Sequence, residues 1–163
     1  MSIMGRLRLY LLLTVIFYLS SINIGFSQTS EKESFTELEG QVLKIINEHR
    51  KLIGLSELMY NKEVYNEARK HSLNMAAGRT PFSHDGFDER YDRLMKEVGG
   101  TSMAENVALG QTTAQEAVDS WLNSKGHKQN IEGDFNLTGI GIARENDGDL
   151  YFTQIFLLNK SIK

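Results

Sequence analysis

Apolar positions recur at three- and four-residue intervals through most of the first two-thirds of the chain. In "SFTELEGQVLKIINEHRKLIG", Phe35, Leu38, Val42, Ile45, Ile46, His49 and Leu52 predict one face of a helix. Ser34 and Glu37 have capping-box spacing at its start, and Gly54 is placed to end it in the left-handed conformation. A second helix is predicted from Asn61, with Val64, Ala68, His71, Ser72 and Met75 inward and Gly78 as its stop. A third begins near Asp88, turns Tyr91, Leu94, Met95 and Val98 inward, and ends at Gly99-Gly100. The fourth opens with the box Thr113-x-x-Glu116 and buries Ala117, Val118, Trp121 and Leu122 before Gly126.

The period changes in the last third. "LTGIGIARE" and "LYFTQIFLL" flank "NDGD", whose Asp147-Gly148 pair predicts a hairpin. The second of these strands is apolar on both faces: Leu150, Phe152 and Phe156 on one, Tyr151, Ile155 and Leu157 on the other. A strand apolar on both faces must be covered on both. The predicted fold is therefore α+β, a three-layer α-β-α sandwich with an antiparallel sheet between helical layers. No internal repeat, low-complexity tract or second domain boundary interrupts the pattern.

The first residues change the picture of where this domain works. Arg6 and Arg8 precede "LYLLLTVIFYL", and small residues follow at Gly25 and Ser27, which reads as a cleavable secretory signal over 1–27. An uncleaved membrane anchor is the competing reading, but the strongly apolar core falls short of the ~20 residues a spanning helix needs. Residues 28–39 read as a short linker and 40–160 as the domain. The chain contains no Cys, so a lipidated cysteine, disulfides, CxxC chemistry and thiolate metal sites are all excluded. An exported domain held by packing alone points to bacterial secretion, into the periplasm or the medium. The whole chain carries 18 basic and 21 acidic residues. Removing the signal removes two of the bases and none of the acids, leaving a net charge of −5. That sign argues against nucleic acid as a partner. A monomer is expected.

Candidate chemistry is sparse, since "GxSxG", "HExxH", P-loop and "GxGxxG" patterns are absent. His49 and His71 fall on apolar helix faces and read as core histidines satisfied by backbone. His84, in "TPFSHDGF", and His127, in "NSKGHKQNI", sit among turn residues and are better placed for a site. Glu105 is a lone carboxylate in "SMAENVALG", so it is either a solvated exception or a buried group with a partner. Spacing alone does not join His84, Glu105 and His127.

A resemblance does join them. "IINEHRKLIGL", "FSHDGFDERYDRL", "AENVALG", "SWLNSKGHKQNI" and "YFTQIF", in that order, resemble the bacterial branch of the CAP superfamily. This is the SCP-like domain of cysteine-rich secretory, antigen 5 and pathogenesis-related proteins, and the resemblance covers about residues 40 to 158. It implies the α-β-α sandwich and a central cleft with two His and two acidic residues, which in some members bind zinc or another divalent ion. His84 matches the first cleft His. Glu105 matches the Glu of the "GEN" motif, with Ala104 in place of Gly. Ser124 stands where the second acid is expected and Tyr151 where the second His is expected, so the full tetrad is absent.

Bacterial members resemble this chain in the "S-x-G-H" that supplies His127. The resemblance thus implies a cleft lined by His84, Glu105, His127, Asn106, Tyr151 and Ser124, with Asn106 bonding backbone. Two imidazoles and one carboxylate are an adequate zinc set with an open position, His84, His127 and Glu105 being the ligands. They are equally adequate as a metal-free hydrogen-bonded network. The functions implied are a secreted or periplasmic module binding an envelope polysaccharide, lipid or protein, or a metal-assisted, peptidase-like hydrolase with Glu105 as base. A structural envelope protein with a vestigial cleft is the third.

Overall fold

Residues 36–146 and 148–162 are described by the structure, a computed structural model. The proposed signal, the linker up to residue 35, the Ser34 cap and Asp147 lie outside the described residues. Helix α1, residues 36–52, takes in the last four positions read as linker and ends, as its glycine predicts, at Gly54 with φ of 82°. Its buried side differs from the apolar pattern. Glu39, Val42, Ile46 and Arg50 are buried, whereas Leu52 is 86% exposed. The reason is that the two polar residues bond to backbone. Glu39 accepts the Ile142 N–H at 3.0 Å. Arg50 donates to the carbonyls of Ser56, Ile131, Gly133 and Phe135 at 2.6–3.1 Å.

Strand β1 (Met59–Tyr60) was not predicted. Asn47 of α1 holds the chain just before it, bonding both the N–H and the C=O of Leu58. Helix α2 (Lys62–Ala76) follows, capped by the Asn61 side chain on the N–H groups of Glu63 and Val64. It buries the five residues its period predicts: Val64, Ala68, His71, Ser72 and Met75. Helix α3 (Phe87–Val98) ends at Gly99 with φ of 74°, but buries Arg90 and Leu94, leaving Tyr91 only partly buried. Strand β2 (Ser102–Leu109) contains the "SMAENVAL" stretch. Helix α4 (Ala114–Leu122) carries the full capping box of Thr113 and Glu116. Helix α5 (Lys125–Ile131) forms where loop was predicted, so Gly126 lies inside a helix and is not the stop of α4. Strands β3 (Leu137–Arg144) and β4 (Leu150–Leu158) make the predicted hairpin.

The sheet order is β1-β3-β4-β2. The three long strands are antiparallel, but β1 pairs parallel to β3, so the sheet is mixed at one edge. Side-chain alternation places Glu105 with Ile155 and Gly139 on one face and Asn106 with Gln154 and Ile140 on the other. On the Glu105 face, Val64 and Ala68 of α2 and Leu94 of α3 form a core with Leu137, Ile155 and Leu157. Gly139 and Gly141 let the α2 backbone lie directly on β3, because a Cβ at either would overlap backbone at Tyr65 or Arg69. On the other face α5 meets the Asn106 side chain, and α1 is tied to α5 through Arg50 and a His49–Glu132 contact of 2.9 Å. Edge strand β2 is closed by side chains. Asn130 donates to the Glu105 carbonyl, and Trp121, fully buried, donates to that of Val107. Among the described residues no helix is long and apolar enough to cross a membrane.

Candidate functional site

Glu105 is buried, with its side chain fully covered. Its carboxylate receives Arg90 as a two-point fork, Nε to Oε2 and Nη2 to Oε1, each at 2.8 Å. The same Oε1 accepts from His84 Nδ1 at 2.9 Å. Of the two readings of Glu105, the structure shows the buried group with partners, and its principal partner is an arginine outside the residues named for the inward face of α3. Arg90 also donates to the Asp85 carbonyl at 2.9 Å, which ties the loop carrying His84 to the start of α3.

Histidine protonation follows from the partners. His71 Nε2 lies 2.9 Å from the Ser83 carbonyl, which can only accept, so the proton is on Nε2. Nδ1 is then an acceptor, and Arg90 Nη1 approaches it at 3.3 Å. Burial, and next the Arg90 charge, push the His71 pKa down, in agreement with a neutral ring. Its 3.8 Å separation from Glu105 Oε1 is therefore not an ion pair. In His84 the Nδ1–H donates to the carboxylate, which leaves Nε2 uncommitted, and this side chain is 50% exposed.

The remaining expected cleft residues are distributed differently. His127 is partly buried on α5 and bonds neither Glu105 nor His84, though burial, and then the charge of nearby His84, lower its pKa. Asn106 is fully buried on the opposite face of β2, where it donates to the His127 carbonyl and accepts from Asn130. It serves to seat α5 and does not line the space beside Glu105. Ser124 is the N-cap position of α5, without a side-chain capping bond. Tyr151 shares the Glu105 face two residue pairs further along, with its hydroxyl 3.2 Å from Glu145 and its ring packed edge-on to Phe82.

The metal set of His84, His127 and Glu105 does not assemble. Both Glu105 oxygens face a guanidinium, whose charge opposes a second cation, and the His127 ring is not bonded to the carboxylate. Among the described residues no group of three or more His, Cys, Asp or Glu could hold a metal. Zinc or another divalent cation thus does not fit these residues.

A groove of about 810 Å³ opens elsewhere, lined by Arg50, Met59, Glu132, Phe135 and Leu158 among others, and none of the His84–Glu105 network borders it. The Arg50 guanidinium in its wall is already bonded to four backbone carbonyls.

Arg90 is the residue that sequence reasoning missed, whereas His71 is the buried, backbone-bonded histidine that its helix face predicts. The available signal was Arg90 standing one turn before Leu94, in phase with a buried face, in a chain with an acid that needed a partner.

Comparison with known proteins agrees with this architecture. The cysteine-rich secretory protein (CAP) family profile matches residues 43–156. The uncharacterized protein YkwD of Bacillus subtilis is 32% identical over 133 residues, covering 79% of this chain and 50% of the relative. The uncharacterized membrane protein YlbC of the same species is 31% identical over 130 residues, covering 77% of this chain and 36% of the relative. The chain thus spans half or less of the length of these curated relatives. An extracellular protein of Bacillus anthracis containing a SCP domain superposes with a TM-score of 0.68 at 28% identity, covering 78% of this chain and 42% of that one. A cysteine-rich secretory protein of Staphylococcus aureus gives 0.65 at 25%, covering 77% and 39%. With the motif order, the sandwich and the matched residues in agreement, this chain belongs to the cysteine-rich secretory protein family, the CAP family.

Proposed function

We propose that this protein is an exported binding module of the cell envelope or exterior, and that His84 is its contact residue. The observation that carries the reading is the saturation of Glu105. With both carboxylate oxygens on Arg90 and one shared with His84, the carboxylate serves to orient an imidazole. His84, half exposed and held by its Nδ1, then has its second ring nitrogen left for a ligand. Glu105 is poorly placed as the general base of a metal-assisted hydrolase, because a base must be open to the proton it takes.

Export is supported by the N-terminal pattern of basic and apolar residues, and by similarity to a Bacillus anthracis protein described as extracellular. The acidic net charge disfavours nucleic acid as the partner.

The test is capture of the mature protein on washed envelope fragments, with wild type compared to His84→Ala. Loss of capture with an unchanged melting temperature supports the module. Equal capture by both proteins removes His84 from the function and leaves the vestigial, structural reading.

A further inference from the structure

The network accounts for His84 but not for the ring beside it. Phe82 is 47% exposed, two residues before His84 on the same loop. It packs edge-on against Tyr151, with ring centroids 6.4 Å apart and planes at 65°. Tyr151 is in turn fixed from both ends, by register opposite Leu109 in the sheet and by its hydroxyl on Glu145. Along β2 the residues of this face run Glu105, Val107, Leu109, so the loop spans from Tyr151 to the buried carboxylate. Phe82 and His84, each about half exposed, thus lie two residues apart on one loop, the first ring set by Tyr151 and the second by Glu105.

We propose that the ligand of this module is a neutral sugar chain, with one sugar face on Phe82 and a hydroxyl donating to His84 Nε2. The proposal rests on the module reading and names its ligand class. A pyranose presents an apolar C–H face and a rim of hydroxyls, which is the complement of an apolar ring and an uncommitted ring nitrogen on one loop. A lipid chain is a poorer match, since it would cover the apolar Phe82 and leave the His84 ring nitrogen without a polar partner. Charge points the same way. Asp85 adjoins His84 in sequence and Glu145 bonds the Tyr151 hydroxyl, so an anionic ligand would meet its own sign there.

Titration calorimetry of the mature protein with tetramers of N-acetylglucosamine and of glucose, and with phosphatidylglycerol vesicles, tests this. Binding of at least one tetramer is expected, weakened about tenfold by Phe82→Ala and by His84→Ala. Leu52→Ala, an exposed apolar change at the end of α1, should leave it unaltered. No binding of either tetramer, or binding indifferent to Phe82→Ala, overturns the proposal. Binding to vesicles in place of sugars overturns it in favour of lipid. Envelope capture that still depends on His84 when the tetramers fail would end the sugar assignment and keep the module. Failure of both would end both.

Discussion

Replacing Glu39 by Gln should stabilise this protein at neutral pH and leave it unchanged in acid. Glu39 is buried where α1 crosses the open edge of β3, and its Oε1 accepts the Ile142 N–H at 3.0 Å. Burial pushes its carboxyl from the ordinary 4.5 up to about 7, against the opposing pull of the Ile142 N–H and of Arg69, 3.9 Å away. Tyr60 and Tyr65 are the other titratable groups that feel its charge. A carboxyl whose folded pKa is raised binds its proton more tightly in the folded state than in the unfolded chain. Its stabilising contribution is complete below pH 4.5 and is lost as pH rises through about 7. At 1.36 kcal/mol per tenfold change in affinity, the loss is about 3 kcal/mol.

Gln keeps the acceptor for Ile142 and cannot ionise. The variant should therefore match wild type at pH 4.5 and exceed it by about 3 kcal/mol at pH 8, or roughly 10 °C in melting temperature. His71 and His127, with lowered pKa values, impose the opposite slope as pH falls below 6.5, but they act equally in both proteins. The assay is urea unfolding at pH 4.5, 6, 7 and 8, read as the difference between the two proteins. A difference that does not grow with pH would refute the argument, as would a variant less stable than wild type at pH 8.

Further outcomes follow from the same structure. Arg90→Met should destabilise by about 3–5 kcal/mol, because it strands the Glu105 charge in the interior, and adding Glu105→Gln should recover part of that loss in calorimetry. Trp121→Ala should cost about 3–5 kcal/mol through loss of a fully buried ring and of its bond to Val107. Gly141→Ala should prevent α2 from seating on β3 and lower stability by about 3 kcal/mol or more in thermal unfolding. Zinc should shift the melting temperatures of wild type and His84→Ala alike, since Arg90 stands where a metal would need the carboxylate; a shift confined to wild type contradicts this.

Local rules and their tertiary overrides can be told apart residue by residue. The caps at Asn61 and Thr113, the left-handed glycines 54, 78 and 99, and the inward face of α2 were legible in the sequence, because each depends on neighbours within a few positions. The antiparallel hairpin and its two covered faces were legible for the same reason. Glu39, Arg50 and Arg90 were not read as buried charges, and the burial of Glu105 was one of two readings. Hydrophobic periodicity assigns such residues to solvent, and only distant chain segments supply the carbonyls, amides and counter-charges that make burial possible. The parallel edge strand and helix α5 were also beyond it, being too short to show a period of their own. His84 and Glu105 could be named from motif resemblance, but the sequence did not separate a metal site from a hydrogen-bonded network. What the carboxylate faces was decided by the tertiary structure, because the fold brings Arg90, fifteen residues upstream of Glu105, onto both of its oxygens.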